Sequence, residues 1–84
     1  MADKGQIVER VVRYIVREIV DNPEQVKVEI VEDGADTVTA EVSTAKSDMG
    51  RVIGKRGRVA NAIRTIAEVA AEEEGLKANV EFLD

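Results

Sequence analysis

Residues 48–58 of the chain read DMGRVIGKRGR, and this stretch is the most informative part of the sequence. Two glycines, Gly54 and Gly57, bracket the cations Lys55 and Arg56. Glycine has no Cβ, so the backbone at such positions can come close to a phosphate group. The first free N–H groups of a following helix carry partial positive charge and favour an anion. The pattern therefore predicts a phosphate-binding loop between two helices.

Charge is distributed unevenly along the 84 residues, whose net charge is −5. Residues 46–64 contain six of the twelve Lys and Arg residues but only one of the seventeen acidic residues. A basic patch on an acidic body is typical of local polyanion binding, because the remaining surface repels the ligand. The basic segment is the one that contains the two glycines, so both observations indicate the same site.

Hydrophobic periodicity predicts the elements of the first half of the chain. Apolar residues recur in pairs every four positions from Ile7 to Val20, which predicts an amphipathic helix that ends before Pro23. Apolar and polar residues alternate over 26–30 and again over 38–42, which predicts two strands. A loop of about three to five residues is expected to join them as a hairpin.

The second half is predicted to contain two helices and a third strand. Ser47 or Asp48 is expected to cap a short helix that runs into the glycine loop. A long helix is predicted from about Arg58 to Gly75, a good residue for a helix end, and a strand over 76–82. The order α-β-β-α-α-β predicts an α+β fold in which helices cover one face of a three-stranded sheet.

The spacing of residues along the chain predicts how several side chains pack. Tyr14 is expected to pack with its hydroxyl at the edge of the core, and Ile53 to anchor the loop from inside. The acidic run 72–74 is expected to be a solvated, frayed helix end. The core-facing residues expected in the long helix are Val59, Ile63, Ile66 and Ala70.

The residue types argue against an enzyme. The chain has no Cys and no His, which excludes thiolate chemistry, imidazole acid–base catalysis and the usual zinc sites. The segment Gly50–Arg56 is one residue too short for a P-loop and lacks its Ser or Thr. We therefore expect no catalytic residue, no metal and no cofactor. The lack of a long apolar run, a signal-peptide pattern and cysteines predicts a cytoplasmic protein without membrane contact.

The stretch Val52–Arg58, continued by residues 62–66, resembles the loop and following helix of a bacterial KH domain. The resemblance is closest to the small stand-alone RNA-binding proteins of the KhpA (YlqC) family and covers nearly the whole chain. It implies that residues 1–84 form a single KH domain of the prokaryotic, type II arrangement. It also implies a GxxG loop that clamps about four nucleotides of RNA backbone, a role as RNA chaperone or post-transcriptional regulator, a homodimer, and a heterodimer with a larger Jag-type protein, KhpB.

This interpretation of the loop favours single-stranded RNA as the ligand, because a groove beside the loop would admit unpaired bases. Loop amides and cations are expected to hold successive phosphates, while three flanking side chains reach base edges or sugar hydroxyls. Bases would lie in an apolar groove between the two central helices and the third strand. The candidate RNA-binding residues are Gly54, Lys55, Arg56, Gly57 and Arg58 in the loop, with Arg51, Asn61 and Arg64 as the flanking group.

A second hypothesis is a protein-interaction module that pairs with a larger KH protein and binds little RNA directly. Two surfaces are candidates for a dimer interface: the first helix, and a face of small residues on the long helix formed by Ala60, Ala67 and Ala71. The sequence leaves open the RNA target, the process controlled and whether binding requires a partner.

Overall fold

The computed structural model describes residues 4–83, which contain three helices and three strands. In chain order these are α1 (Gln6–Ile19), β1 (Lys27–Glu32), β2 (Thr37–Ser43), α2 (Met49–Ile53), α3 (Arg58–Glu72) and β3 (Lys77–Leu83). The α+β class and the order α-β-β-α-α-β are therefore confirmed. None of the helices within residues 4–83 is long and apolar enough to cross a membrane.

The sheet is mixed, with β2 at its centre. β1 pairs with β2 in the antiparallel sense, and the hairpin loop between them spans residues 33–36, as predicted. β3 pairs with the other edge of β2 in the parallel sense. A parallel neighbour requires a crossover connection, and α2 and α3 form it. The glycine loop therefore lies in the middle of the crossover.

One face of the sheet is apolar and is covered by the helices. The strand register aligns the inward-facing residues in rows, of which the two most apolar are Val28–Val42–Phe82 and Ile30–Ala40–Val80. α1 lies against β1 and α3, and α3 lies against β3. The helices thus form one layer over the sheet, and the opposite face is left open.

The core consists mainly of valine and alanine. Val8, Val12 and Val16 of α1 are fully buried, so the apolar stripe of the first helix is used inside the domain. In α3 the deepest positions include the alanines of the small-residue face, because short side chains let this helix approach α1 and β3 closely. The proposal of that face as a dimer surface is therefore wrong: Ala60, Ala67 and Ala71 are all buried.

Two packing assignments made from spacing, those of Ile66 and Tyr14, are corrected by the structure. Ile66 was expected in the core but is 42% exposed, since Ala67 takes the buried position next to it. Val69 is also exposed on α3. Tyr14 was expected to pack, but its side chain lies on the outer face of α1 and is 68% exposed.

The acidic run at the end of α3 is partly structural, contrary to the expectation of a frayed end. The Glu74 carboxylate accepts hydrogen bonds from the backbone N–H groups of Gly5 at 3.0 Å, Ile7 at 2.9 Å and Val8 at 3.4 Å. These are the otherwise unpaired donors at the start of α1, and no residue of α1's own N terminus caps them. A carboxylate at this position also interacts favourably with the helix dipole. Glu74 therefore ties the first helix to the turn before β3.

We expect Glu74→Ala to lower the free energy of unfolding by about 1–2 kcal/mol, the usual value of a helix cap strengthened by charge. Chemical denaturation followed by circular dichroism measures this change. Glu73→Ala is the matched control, because Glu73 is exposed and makes no side-chain hydrogen bond among residues 4–83. Equal stabilities of the two variants would show that the cap contributes nothing.

Candidate nucleic-acid interface

The loop between α2 and α3 has an unusual backbone. Gly54 has φ 76° and ψ 172°, and Gly57 has φ 71° and ψ 18°. Arg56 is also in the left-handed region, at φ 58°. The Gly54 conformation is open almost only to glycine, whereas left-handed helical geometry is tolerated by a few other residues. The chain therefore reverses sharply here and presents the tip of the loop to solvent.

The two glycines are needed for different reasons. A Cβ added to Gly54 would lie 2.5 Å from Cγ2 and 2.9 Å from Cβ of Val59, so the first turn of α3 packs directly against the bare backbone. A Cβ added to Gly57 would meet no atom within 4 Å. Gly54 is thus required by packing within the protein, whereas Gly57 faces open space.

The loop amides divide into two groups. Gly54 donates to the carbonyl of Gly50, and Gly57 donates to the carbonyl of Gly54 at 3.2 Å. Within residues 4–83 the N–H groups of Lys55 and Arg56 have no acceptor at hydrogen-bond distance. Two of the expected phosphate donors are thus occupied by the protein itself, and the two central ones are available.

Positive charge surrounds these free amides. The side chains of Lys55, Arg56 and Arg58 are exposed, and none of them forms an ion pair within the described part of the chain. No side chain caps the N terminus of α3, and its first turn contains no acidic residue. The positive end of the helix dipole is therefore not neutralised locally and favours an anion at the same point.

The three flanking candidates lie near the loop but are engaged within the protein. The Arg51 guanidinium contacts the Asp21 carboxylate at 2.9 Å, and both side chains remain exposed. The Arg64 Nη1 donates to Asn61 Oδ1 at 3.1 Å. The same guanidinium lies 5.3 Å from the centre of the Phe82 ring. Arg51 thus lies on the α1 side of the loop, while Asn61 and Arg64 lie on the β3 side.

A buried carboxylate holds α2 in place. Ser47 or Asp48 was expected to cap α2, but no side-chain cap is formed, and Asp48 is 2% exposed. Its oxygens accept hydrogen bonds from the N–H groups of Asp21 at 3.2 Å and Asn22 at 3.1 Å, and from the Asn22 side chain. Burial alone would raise the pKa of Asp48, but these hydrogen bonds, with a smaller effect of the Arg51 charge, lower it overall. The turn after α1 is thereby fastened to the helix that leads into the loop.

A groove of about 630 Å³ runs beside the loop, between α2 and the end of β3. The sequence predicted an apolar groove between the two central helices and the third strand, but none of the residues that line this groove belongs to α3. Ile53 is only half-buried and lines the groove, so it does more than anchor the loop from the core. The other lining residues are Thr44, Lys46, Met49, Gly50, Gly54 and Leu83. The alternation of β3 places Leu83 and Phe82 on opposite faces of the sheet, so this pattern alone does not identify Leu83 as part of the groove.

The open face of the sheet carries a row of acidic side chains. The register places Glu29, Glu41 and Glu81 in one row across all three strands. Among the described residues, no group of acidic side chains has an arrangement that could hold a metal ion. This row repels a polyanion, so a polyanion binds more favourably on the side of the molecule that carries the helices.

Comparison with known proteins agrees with this geometry. A family model described as the KH domain of KhpA/KhpB matches residues 9–82. The RNA-binding protein KhpA of Chlamydia trachomatis is 39% identical over 71 residues, which cover 84% of this chain and 90% of that protein. KhpA of Borreliella burgdorferi is 34% identical over 84 residues, the whole of both chains, and KhpA of Clostridium perfringens is 43% identical over 72 residues, 86% of this chain and 95% of that one.

The fold also occurs in a larger solved structure. A crystal structure of Aquifex aeolicus Era bound to GDP and aluminium fluoride superposes with a TM-score of 0.72 at 17% identity, covering 99% of this chain and 33% of Era. This similarity concerns the fold alone. The family match confirms the KH fold and a protein that is not an enzyme, since the family consists of RNA-binding domains. The chain belongs to the KhpA/KhpB family of KH domains.

Proposed function

We propose that this protein binds single-stranded RNA by holding its phosphate backbone on the GxxG loop, residues 54–57. The observation that carries the proposal is the pair of unoccupied amides at Lys55 and Arg56, ringed by exposed cations and the open N terminus of α3. The relatives are named RNA-binding proteins, which supports the same ligand. Holding an unpaired strand in this way is what an RNA chaperone or post-transcriptional regulator requires.

The roles of the residues differ. The free amides and the side chains of Lys55, Arg56 and Arg58 hold successive phosphates, and the open space at Gly57 lets the strand approach the backbone. The adjoining groove, with its apolar side chains, receives unpaired bases. Arg51, Asn61 and Arg64 flank the strand and reach it by exchanging their present partners for RNA. With three or four phosphates held, log K should fall with log salt at a slope of roughly −2 to −3.

We also propose that the protein forms a homodimer through α3. Ala62, Ile66 and Val69 are spaced by four and three residues and share one exposed helix face. This stripe replaces the buried alanines as the candidate interface on the long helix. A second copy of the chain, or a KhpB-type KH domain, would bury it and bring two weak RNA sites together, which raises avidity.

The substitution pair Lys55→Asp and Arg56→Asp should reduce affinity for a single-stranded oligonucleotide by more than about tenfold, since two phosphate contacts become repulsive. Aspartate tolerates the left-handed geometry of position 56, so circular dichroism should not change. The matched control is Lys27→Asp with Lys77→Asp, which makes the same charge change on the open face of the sheet. Unchanged affinity in the loop variant would end the proposal.

Gly54→Ala should remove RNA binding and destabilise the domain by about 2–4 kcal/mol, because the new methyl group meets Val59 and the backbone is unsuitable for alanine. Gly57→Ala should cost only about 1 kcal/mol and weaken binding less. Urea denaturation and fluorescence anisotropy measure the two effects. Equal behaviour of both variants contradicts the different roles assigned to the glycines.

Sedimentation velocity at micromolar concentration should show a dimer for the wild-type protein and a monomer for Ile66→Lys. The side chain at 66 is partly exposed, so this change should leave the fold intact. Val31→Lys is the control, because Val31 has a similar exposure on the open face of the sheet. A wild-type monomer at this concentration would exclude the dimer.

A further inference from the structure

The outer face of α1 carries a stripe of basic and aromatic side chains that belongs neither to the core nor to the loop site. Arg10, Arg13 and Arg17 lie on the face opposite the buried valines, with Tyr14 beside them. We call these four residues the α1 arginine stripe. From Arg10 to Arg17 the helix rises by roughly 10 Å. The acidic residues Glu9 and Glu18 lie at the two borders of this face, and Glu9 is paired with Arg13.

The stripe has no evident purpose in folding. Arg10 and Arg17 form no ion pair within residues 4–83, and Arg13 is paired only with Glu9. Tyr14 is the single tyrosine of the chain and is 68% exposed, with no hydrogen bond among the described residues. Exposing an aromatic ring gains nothing for stability, because its apolar area stays in water. A ligand is therefore the better explanation of these side chains.

The stripe also has a shape that suits a ligand. A shallow concavity of about 380 Å³ is bounded by the four stripe residues together with Glu18 and Pro23. Its lining thus combines one aromatic residue with three arginines and a single acidic residue. An unpaired base can stack on the ring while its phosphates contact the arginines.

We propose that the α1 arginine stripe is a second contact site for single-stranded RNA, additional to the GxxG loop. Guanidinium groups bind phosphate oxygens in pairs of hydrogen bonds, and the tyrosine stacks on a base. An acidic peptide would use the charges but would leave the exposed ring without a function. The proposal rests on the proposed RNA binding of this chain, and it extends the ligand beyond the nucleotides that the loop can hold.

The stripe is connected to the loop through the end of α1. Asp21 follows α1 closely and contacts Arg51, which lies on the last turn before the loop. Arg51 pairs with the Asp21 carboxylate, whose negative charge would otherwise lie unpaired between the loop cations and the α1 arginine stripe. A strand that leaves the loop on this side reaches the stripe without crossing the acidic row of the sheet. The stripe therefore acts only on RNA longer than the loop site.

The test compares two RNA lengths and three variants. A uridine tetramer fills only the loop, and an oligomer of about 20 uridines reaches both sites. Arg10→Gln with Arg17→Gln removes the unpaired stripe cations and keeps good helix formers. Lys27→Gln with Lys77→Gln makes the same charge change on the open sheet face. The third variant is the loop pair Lys55→Asp with Arg56→Asp.

The stripe variant should bind the long oligomer about five- to twentyfold more weakly, with a salt slope shallower by roughly 1.4, as expected for two lost phosphate contacts. Its affinity for the tetramer, followed by NMR titration, should equal that of the wild type. The sheet-face control should bind both as the wild type does. The long oligomer should also quench the emission of the wild-type protein, which arises from Tyr14 alone because the chain has no Trp.

Other outcomes separate the two proposals. Unchanged affinity of the stripe variant for the long oligomer, with unquenched Tyr14 emission, would overturn the second site and leave the loop site standing. If the stripe variant binds the long oligomer weakly and the loop variant binds it normally, the second site is supported and the proposed loop site is refuted. A wild-type protein that binds neither length would overturn both, and α1 would then face a protein partner.

Discussion

The close approach of Val59 to the bare backbone of Gly54 is the contact on which the rest of the site depends. It lets α3 start only four residues after α2 with a sharp change of direction, and within residues 4–83 the amides of Lys55 and Arg56 in this turn have no acceptor. No residue with a Cβ can make this turn without moving α3. Because α3 also packs on α1 and β3, such a movement would disturb the core as well as the loop.

The direction of α2 is secured from its other end. The buried Asp48 accepts hydrogen bonds from the turn after α1, and Arg51 pairs with Asp21 of the same turn. Glu74 makes a comparable connection at the start of α1, where it binds three backbone amides. A carboxylate is well suited to this task, since it can accept several N–H groups at once and its charge strengthens each hydrogen bond. Two acidic side chains thus orient the helices that carry the basic surfaces.

The acidic net charge of the chain is compatible with an anionic ligand because the charges are separated in space. The strand register collects Glu29, Glu41 and Glu81 on the open face of the sheet. The cations of the loop and of α1 lie on the helical layer, on the other side of the molecule. Repulsion by the sheet therefore orients a polyanion towards the helices and does not oppose its binding there.

The local sequence pattern was enough to predict the order of elements, the hairpin and the position of the loop. This is because hydrophobic periodicity and turn-forming residues are read from positions that are adjacent in the chain. The prediction that Lys55, Arg56 and Arg58 contact RNA rests on the same local pattern. Assignments within α3 were less successful. Spacing selected Ile66 for the core, but the buried face of α3 consists of Ile63 and four alanines, and Ile66 lies outside it.

Only the tertiary structure decided which loop amides are free, which face of α3 is exposed and which acidic side chains accept hydrogen bonds from the backbone. Asp48 and Glu74 have partners 26 to 69 residues away in the chain, so no local pattern could identify them. The exposure of Tyr14 likewise depends on where α1 packs. The sequence determines which chemical groups each segment carries. Long-range packing determines which of these groups are exposed to solvent, because burial and hydrogen bonding depend on residues that are distant in the chain.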